Sequence, residues 1–598
     1  MNHDPRFDPK AHVTGLLRAA LAEVAPQAAD TPVLLERPKQ ASHGDFACNL
    51  AMQLAKSQKA NPRQLAERLL AALQSQPGWG EGWIISAEIA GAGFINLRLA
   101  PRAKQLAVAR ALAEGEHYGR GPSTGERVQV EFVSANPTGP LHVGHGRGAA
   151  YGASLASLIA FAGAQVEREF YINDAGRQMD ILAVSVWLRY LETRGTILEF
   201  PADGYRGEYV REIAAALDAR HGARFERDDP ALQAALHAAG TTPADAPEPD
   251  EEPASGDAAL DALIALSRRL LADDWRVVHG FALESMLADQ KDDLGEFRVS
   301  YERWYSEQSL HDSGKVASAV ARLDAAGHTY VKDGALWFRS TAFGDEKDRV
   351  VRRENGQLTY FASDIAYHLD KFERGYDRVI NVWGADHHGY IPRVKGALTA
   401  FGLDANRLVV ALVQFAALFR GGEKIAMGKR SGEFVTLRDL CREVGNDAAR
   451  FFYVLRKSDQ HLDFDLDLAK SESNDNPVYY VQYAHARVCS VFSQGGRDEA
   501  ACRAASLDAL TGERELALMQ RLGEFPEVVQ SAARDMSPHA VAFYLREVAA
   551  DFHSYYNAER ILVEDASLAT ARLALCAATR QVLANGLALL GVSAPERM

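Results

Sequence analysis

The residues best suited to chemistry sit in one short run, His142-Val143-Gly144-His145. Two imidazoles one loop turn apart can donate hydrogen bonds to phosphate oxygens and stabilise charge that develops during nucleotidyl transfer. Gly144 removes a side chain where backbone and nucleotide would meet closely. A chance HxGH in a chain with this much histidine and glycine has a probability on the order of 4%, so the letters alone are weak. Their setting is stronger. VQVEFVS before them reads as a buried strand, and GAAYGASLASLIAFAG after them as a helix of small residues. Asn136, Pro137, Gly139 and Pro140 shape the intervening loop. In an open α/β sheet, ligands sit beyond the carboxyl ends of the strands, and a following helix N-terminus suits phosphate. A competing reading is a metal-dependent hydrolase using His142, His145, Asp386, His387 and His388. Its spacing matches no standard zinc pattern.

The elements around the motif define the fold class. Strand, loop, helix and a second strand at EREFYIND form the first half of a doubly wound parallel sheet. Further strands are expected at WFRSTAF, QLTYFASD, RVINVWGAD and LVVALVQFAAL, after a helical insertion over about 176–330. The first 115 residues read as a separate α+β module. It has helical patterns at HVTGLLRAALAEVA and CNLAMQLAKSQKANPRQLAERLLAALQ, then a strand pair turned by Gly91 and Gly93. Residues 115–127 read as a linker. From about Ser471 the apolar repeat is helical to the end, which predicts an α-helical bundle. The expected architecture is multidomain α/β. A Rossmann-like doubly wound parallel-sheet catalytic domain is flanked by an N-terminal α+β module and a C-terminal bundle.

Composition sets the outer limits. A chain of 598 residues suggests about four domains. Hydrophobic residues at 47% and charged residues at 24% fit a folded protein and exclude disordered and collagen-like classes. The net charge of −14 argues at first against a nucleic-acid partner. However, residues 226–257 hold nine acids and one arginine, more than half of that excess. The part from Gly240 to Asp257 reads as a solvated, partly disordered loop. No apolar stretch is long enough to span a membrane, and MNHDPRFDPKAH has no secretory pattern. The five cysteines form no CxxC pair, which disfavours a disulfide framework or cysteine-zinc site. A cytoplasmic setting with no tightly bound protein metal is expected.

The run VEFVSANPTGPLHVGHGRGAAYGASLASLIAFAGAQVEREFYINDAGRQM (130–179) resembles the signature segment of arginyl-tRNA synthetases, which are class I aminoacyl-tRNA synthetases. HVGH matches the family's HIGH element. Further matches run through HGDFACNLAMQLAK, GFINLRL, GDEKDRVVRRENGQLTYFASDIAYH, NPVYYVQYAHAR and the ending RLALCAATRQVLANGLALLGVSAPERM, so the resemblance covers nearly the whole chain. It implies ligation of L-arginine to tRNA(Arg) through arginyl-adenylate, with Mg-ATP as substrate and bound tRNA needed for activation. It assigns His142, His145 and Lys429 to catalysis, and His142, Gly144, His145, Met427 and Lys429 to ATP. Glu131, Asn136, Tyr360, Asp364 and Asp386 would hold arginine, with Asp364 facing the guanidinium as a planar carboxylate partner. The family's KMSKS element corresponds to Ala426-Met427-Gly428-Lys429-Arg430. Ala426 and Gly428 replace its first lysine and its serine, while Lys429 keeps the second lysine's place. Some family members replace that lysine upstream of HIGH. Thr138 and Pro140 stand there in this chain, consistent with Lys429 keeping the role. Residues 127–405 would be the catalytic domain, 406–470 the lysine-loop and connecting region, and 471–598 the anticodon-binding domain. The N-terminal domain would touch the tRNA elbow. Tyr479, Tyr483 and Arg487 are candidate tRNA contacts, with Tyr480, His485, Tyr555, Tyr556 and Asn557 as further candidates, because aromatic and basic groups stack on unpaired bases. Packing of the same tyrosines into a helix core is an equal alternative. A monomer is expected. A non-catalytic tRNA-binding relative is disfavoured by intact His142, His145, Lys429 and Asp364.

Overall fold

The computed structural model describes residues 8–38, 40–227, 229–240, 258–425, 435–495 and 502–598. Its centre is a five-stranded sheet. The elements that matter for the site are, in chain order, β1 (Arg127–Glu131), α1 (Val143–Phe161), β2 (Gln165–Ile172), α2 (Arg177–Thr193), α3 (Glu208–His221), α4 (Asp274–Glu296), β3 (Arg303–Ser306), α5 (Tyr360–Glu373), β4 (Arg378–Gly384), β5 (Leu408–Val413) and α6 (Pro477–Gly495). All five strands are parallel, in the order β5-β4-β1-β2-β3. The chain runs outward from β1 through β2 to β3, then crosses back to β4. The switch point therefore lies between β1 and β4, where open α/β sheets leave a crevice for ligands.

Close packing explains the small residues of α1. A Cβ at Gly152 would lie 2.3 Å from the Phe132 ring, and one at Gly146 would lie 2.8 Å from Leu437 and 2.9 Å from Tyr453. The helix thus sits against the end of β1 at a distance only glycine allows. Just after β1, Val133 and Ser134 adopt φ of 70° and 43°. A β-branched residue in the left-handed region is strained, and such strain clusters at functional sites.

Two expected strands are corrected. QLTYFASD opens α5 rather than a strand: Thr359 caps the helix by accepting from the Ala362 N–H, and the buried Phe361, Ile365, Leu369 and Phe372 follow a helical period. WFRSTAF holds only the end of a strand (Ala335–Phe338) before a 3₁₀ turn. That strand belongs to a separate antiparallel sheet with Thr329–Lys332 and Arg349–Arg352. LVVALVQFAAL divides. Its first half is β5, while Ala416–Arg420 joins a small sheet with Glu423–Lys424 and Leu462–Asp465. The span 176–330, expected to be helical, contains β3, an edge of the central sheet, and β5 lies inside 406–470 rather than before it.

The N-terminal residues form helices Pro9–Val24 and Pro62–Ser75 against a four-stranded antiparallel sheet. Its last hairpin turns through Gly91 and Gly93, both at positive φ. The C-terminal residues form the expected helical bundle, α6 with Glu513–Gly523, Phe525–Arg534, Pro538–Ala558 and Ala566–Leu589. The segment ERELALMQRLGEFPEVVQSAARD is two helices, broken before Pro526. All five cysteines are free thiols, three of them buried. Among the described residues no helix is long and apolar enough to cross a membrane. Most of the acidic loop, 241–257, lies outside the described residues.

Candidate functional site

The switch point holds a cavity of about 670 Å³. Into it open Glu131 from the end of β1, His142 and His145 from the start of α1, Asp364 from α5 and Asp386 from the turn after β4. Asn136 and Gly144 also line it. Segments far apart in sequence therefore deliver to one space most of the residues expected to bind ATP and arginine.

The two histidines are held by the helix they introduce. His142 is the N-cap of α1, and its Nδ1 accepts from the Gly144 N–H at 3.1 Å. His145 Nδ1 accepts from the His142 N–H at 3.2 Å. The rings stack, with centroids 3.7 Å apart. Because each Nδ1 is an acceptor, the neutral ring carries its proton on Nε2, the form that donates to an anion. A Cβ at Gly144 would lie 2.9 Å from His142 Cε1, so the fold-back of the first ring requires glycine.

The arginine side of the cavity is a connected polar network. Ser134 Oγ donates to Glu131 Oε1 at 2.8 Å, and Lys371 Nζ donates to Glu131 Oε2 at 2.5 Å. Lys371 is 0% exposed and also donates to Asn381 Oδ1 at 2.7 Å. Burial opposes ionisation of Glu131, but Lys371 and Ser134 outweigh it and hold its carboxyl below the ordinary range. Asn381 Nδ2 donates to His368 Nε2 at 2.8 Å, and His368 Nδ1 donates to the Asp364 carbonyl at 2.8 Å. Burial, with Lys371 nearby, pushes His368 down to about 4, so the ring is neutral. Asp364 differs. Burial raises its carboxyl to about 6, with Glu131 adding to the rise and the hydrogen bond from the Tyr390 hydroxyl opposing it. A carboxylate that burial keeps raised despite Arg393 and Lys371 is suited to a guanidinium, which would add the charge that stabilises its ionised form.

Not every expected residue converges. Tyr360 is 44% exposed and lines a neighbouring cavity of about 340 Å³, not the one that holds Asp364. The tyrosine beside Asp364 is Tyr390. The Asn136 amide is engaged with Gln178 and Asn173. Met427 and Lys429 lie outside the described residues. The segment before them ends in the small sheet, and the segment after them reaches the site. Ile425 N–H donates to Leu418 O at 2.8 Å, Val143 N–H to Val435 O at 3.2 Å and Leu437 N–H to Leu141 O at 2.8 Å. Val435–Leu437 thus runs beside the HVGH motif, with a bridge between His142 and Thr436.

Sequence reasoning missed Lys371, His368, Tyr390 and Glu307. Glu307 is buried in the wall of the neighbouring cavity and is raised to about 7 by burial and by Asp364. Lys371 and His368 share α5 with Asp364, so reading TYFASDIAYHLDK as a helix would have placed them on one side. Tyr390 and Glu307 carried no such signal. Among the described residues no three His, Cys, Asp or Glu side chains gather as a metal site, and His387 and His388 are exposed.

On α6, Tyr479, Tyr483 and Arg487 recur every fourth residue on one half-buried face. The Tyr479 and Tyr483 rings stack at 5.9 Å, and Arg487 donates to the Tyr483 hydroxyl at 2.8 Å while lying over the Tyr556 ring. His485 and Tyr555 are corrected: both are buried, and His485 Nδ1 bonds the Pro595 carbonyl at 2.8 Å.

Family models match along the chain in order. An arginyl tRNA synthetase N-terminal domain matches 11–99, the catalytic domain of class I tRNA synthetases (R) matches 107–209 and 285–462, and a DALR anticodon binding domain matches 481–598. An arginine–tRNA ligase of Aromatoleum aromaticum is 62% identical over 591 residues, 99% of this chain and 100% of the relative. One from an Azoarcus species is 61% identical with the same coverage. The Thermus thermophilus arginyl-tRNA synthetase superposes with a TM-score of 0.72 over 98% of this chain and 100% of that one; at 24% identity it speaks for the fold alone. With the signature motif at the switch point, three family domains in order and full-length relatives at this identity, the chain belongs to the arginyl-tRNA synthetases of class I.

Proposed function

We propose that this chain makes arginyl-adenylate in the cavity between β1 and β4 and then passes the arginyl group to tRNA(Arg). The observation that carries the assignment is the position of Asp364, a half-buried carboxylate that opens into the same cavity as His142 and His145. Asp364 receives the guanidinium. Glu131 and Asn136 face the α-amino end, and Asp386 contacts arginine or the ATP ribose. Tyr360, at the mouth of the adjoining cavity, contributes at the margin.

ATP enters as its Mg²⁺ complex. His142 and His145 donate from Nε2 to its phosphates, Lys429 supplies positive charge to the β and γ phosphates, and Met427 belongs to the ATP site. An arginine carboxylate oxygen attacks the α-phosphorus. The new O–P bond forms as the bond to pyrophosphate breaks, and the charge passes to the leaving group. The terminal 2′-hydroxyl of tRNA then attacks the arginyl carbonyl, and AMP departs with its phosphate taking up the hydroxyl proton. No strong base is needed, so catalysis is positioning and electrostatic stabilisation. We assign residues 1–115 to the tRNA elbow and the α6 face of Tyr479, Tyr483 and Arg487 to the anticodon loop. The enzyme is a cytoplasmic monomer. Arginine-dependent ATP–pyrophosphate exchange, measured with and without tRNA for the natural chain and Asp364→Asn, tests the assignment. Unchanged arginine dependence in the variant removes Asp364 from the substrate site.

A further inference from the structure

The loop Asn136-Pro137-Thr138-Gly139-Pro140 leads into the HVGH motif. Its two prolines lack N–H groups, and its Asn136, Thr138 and Gly139 carbonyls accept from side chains of the inserted helices. Backbone carbonyls in such a place need donors. The inserted helices supply them. Gln290 on α4 is 0% exposed, and its amide donates to Asn136 O at 3.1 Å and to Gly139 O at 3.0 Å. Tyr209 on α3 donates its hydroxyl to Thr138 O at 2.7 Å. Gln178 on α2 accepts from the Asn136 side chain at 2.9 Å. Three helices of the insertion thus converge on three residues of one loop.

We propose that the insertion sets the signature loop, with Gln290 and Tyr209 as positioning residues for the phosphate-facing histidines. The proline-stiffened loop has little freedom once its carbonyls at 136, 138 and 139 are fixed, so its exit direction into His142 is fixed too. Neither side chain is among those lining the cavity. Their effect is on where the His142 and His145 rings stand relative to ATP. The inference rests on the reading that these rings face ATP.

The test is ATP–pyrophosphate exchange in the presence of tRNA for Tyr209→Phe, Gln290→Met and His142→Ala, with folding followed by circular dichroism. Tyr209→Phe and Gln290→Met are each expected to lower kcat about tenfold and to raise the KM for ATP, because each leaves a loop carbonyl without its donor. The KM for arginine stays within about twofold, a split that a general loss of structure would not produce. If Gln290→Met fails to fold, Tyr209→Phe decides, since it removes a single hydroxyl. Unchanged kcat in folded positioning variants while His142→Ala is crippled overturns the proposal alone. So does an equal rise in both KM values. If His142→Ala itself leaves exchange unchanged, the phosphate reading falls and the proposal with it.

Discussion

Glu131 and Asp364 are two carboxylates in one cavity with opposite surroundings. Glu131 is bonded directly to an internal cation in Lys371, whereas Asp364 is bonded to the Tyr390 hydroxyl, and Arg393 and Lys371 do not offset its burial. This asymmetry separates their roles. Asp364→Asn is expected to raise the KM for arginine about 100-fold or more, with the KM for ATP changed little, because it removes a charge-assisted pair. Initial rates at varied arginine and ATP check this. The raised carboxyl also gives a pH signature. Guanidinium binding needs the ionised form, so arginine affinity falls as pH drops through about 6 and is level above it. The KM for arginine across about pH 5 to 8 measures this; a KM that falls on acidification would contradict it. Lys371→Met strands a buried carboxylate and should cost about 3–5 kcal/mol in urea unfolding, more than the Lys371→Met, Glu131→Gln double variant. At this scale the HVGH motif was legible because its strand, loop and helix are contiguous letters. Tyr390 and Glu307 were not, because only tertiary folding brings them beside Asp364.

Elements decide how well those residues are held. Helix α1 carries both histidines and lies closer to β1 than any side chain permits, which accounts for its run of Gly, Ala and Ser. Gly152→Ala forces a Cβ into the Phe132 ring, and about 1–3 kcal/mol of stability should be lost as the helix shifts. Denaturant midpoints, together with kcat for exchange, would show both consequences; an unaltered midpoint would mean the contact is loose. The small-residue helix was readable from sequence for the same packing reason. Helix α5 was not. LTYF has the β-branched and aromatic character of a strand, and its helical period is visible only when the window runs on through Ile365, Leu369 and Phe372. The correction matters for chemistry, since only a helix puts Asp364, His368 and Lys371 on one side.

Across the whole molecule, the parallel sheet supplies the crevice, and the C-terminal bundle matches an anticodon binding domain. The bundle is tied to the catalytic part by Arg450, fully buried, which donates to Leu590 O at 2.9 Å and Phe297 O at 2.8 Å. Arg450→Leu leaves those carbonyls without donors and is expected to lower stability by about 2–4 kcal/mol in urea unfolding. The net charge of −14 was a poor guide to the partner, because nine acids lie within 226–257 and the basic and aromatic residues of α6 are local. Domain order and the bundle were legible from the apolar periodicity. The strand β3, at one edge of the sheet, was assigned to the helical insertion because four residues have little period of their own, whereas β5, at the other edge, was read as a strand but fell on the far side of the boundary at 405. The most direct test of the account is arginine-dependent ATP–pyrophosphate exchange with tRNA present. Exchange in the natural chain is expected to require arginine and, in Asp364→Asn, the arginine requirement is expected to rise far more than the ATP requirement. Absence of exchange in the natural chain, with and without tRNA, would contradict it.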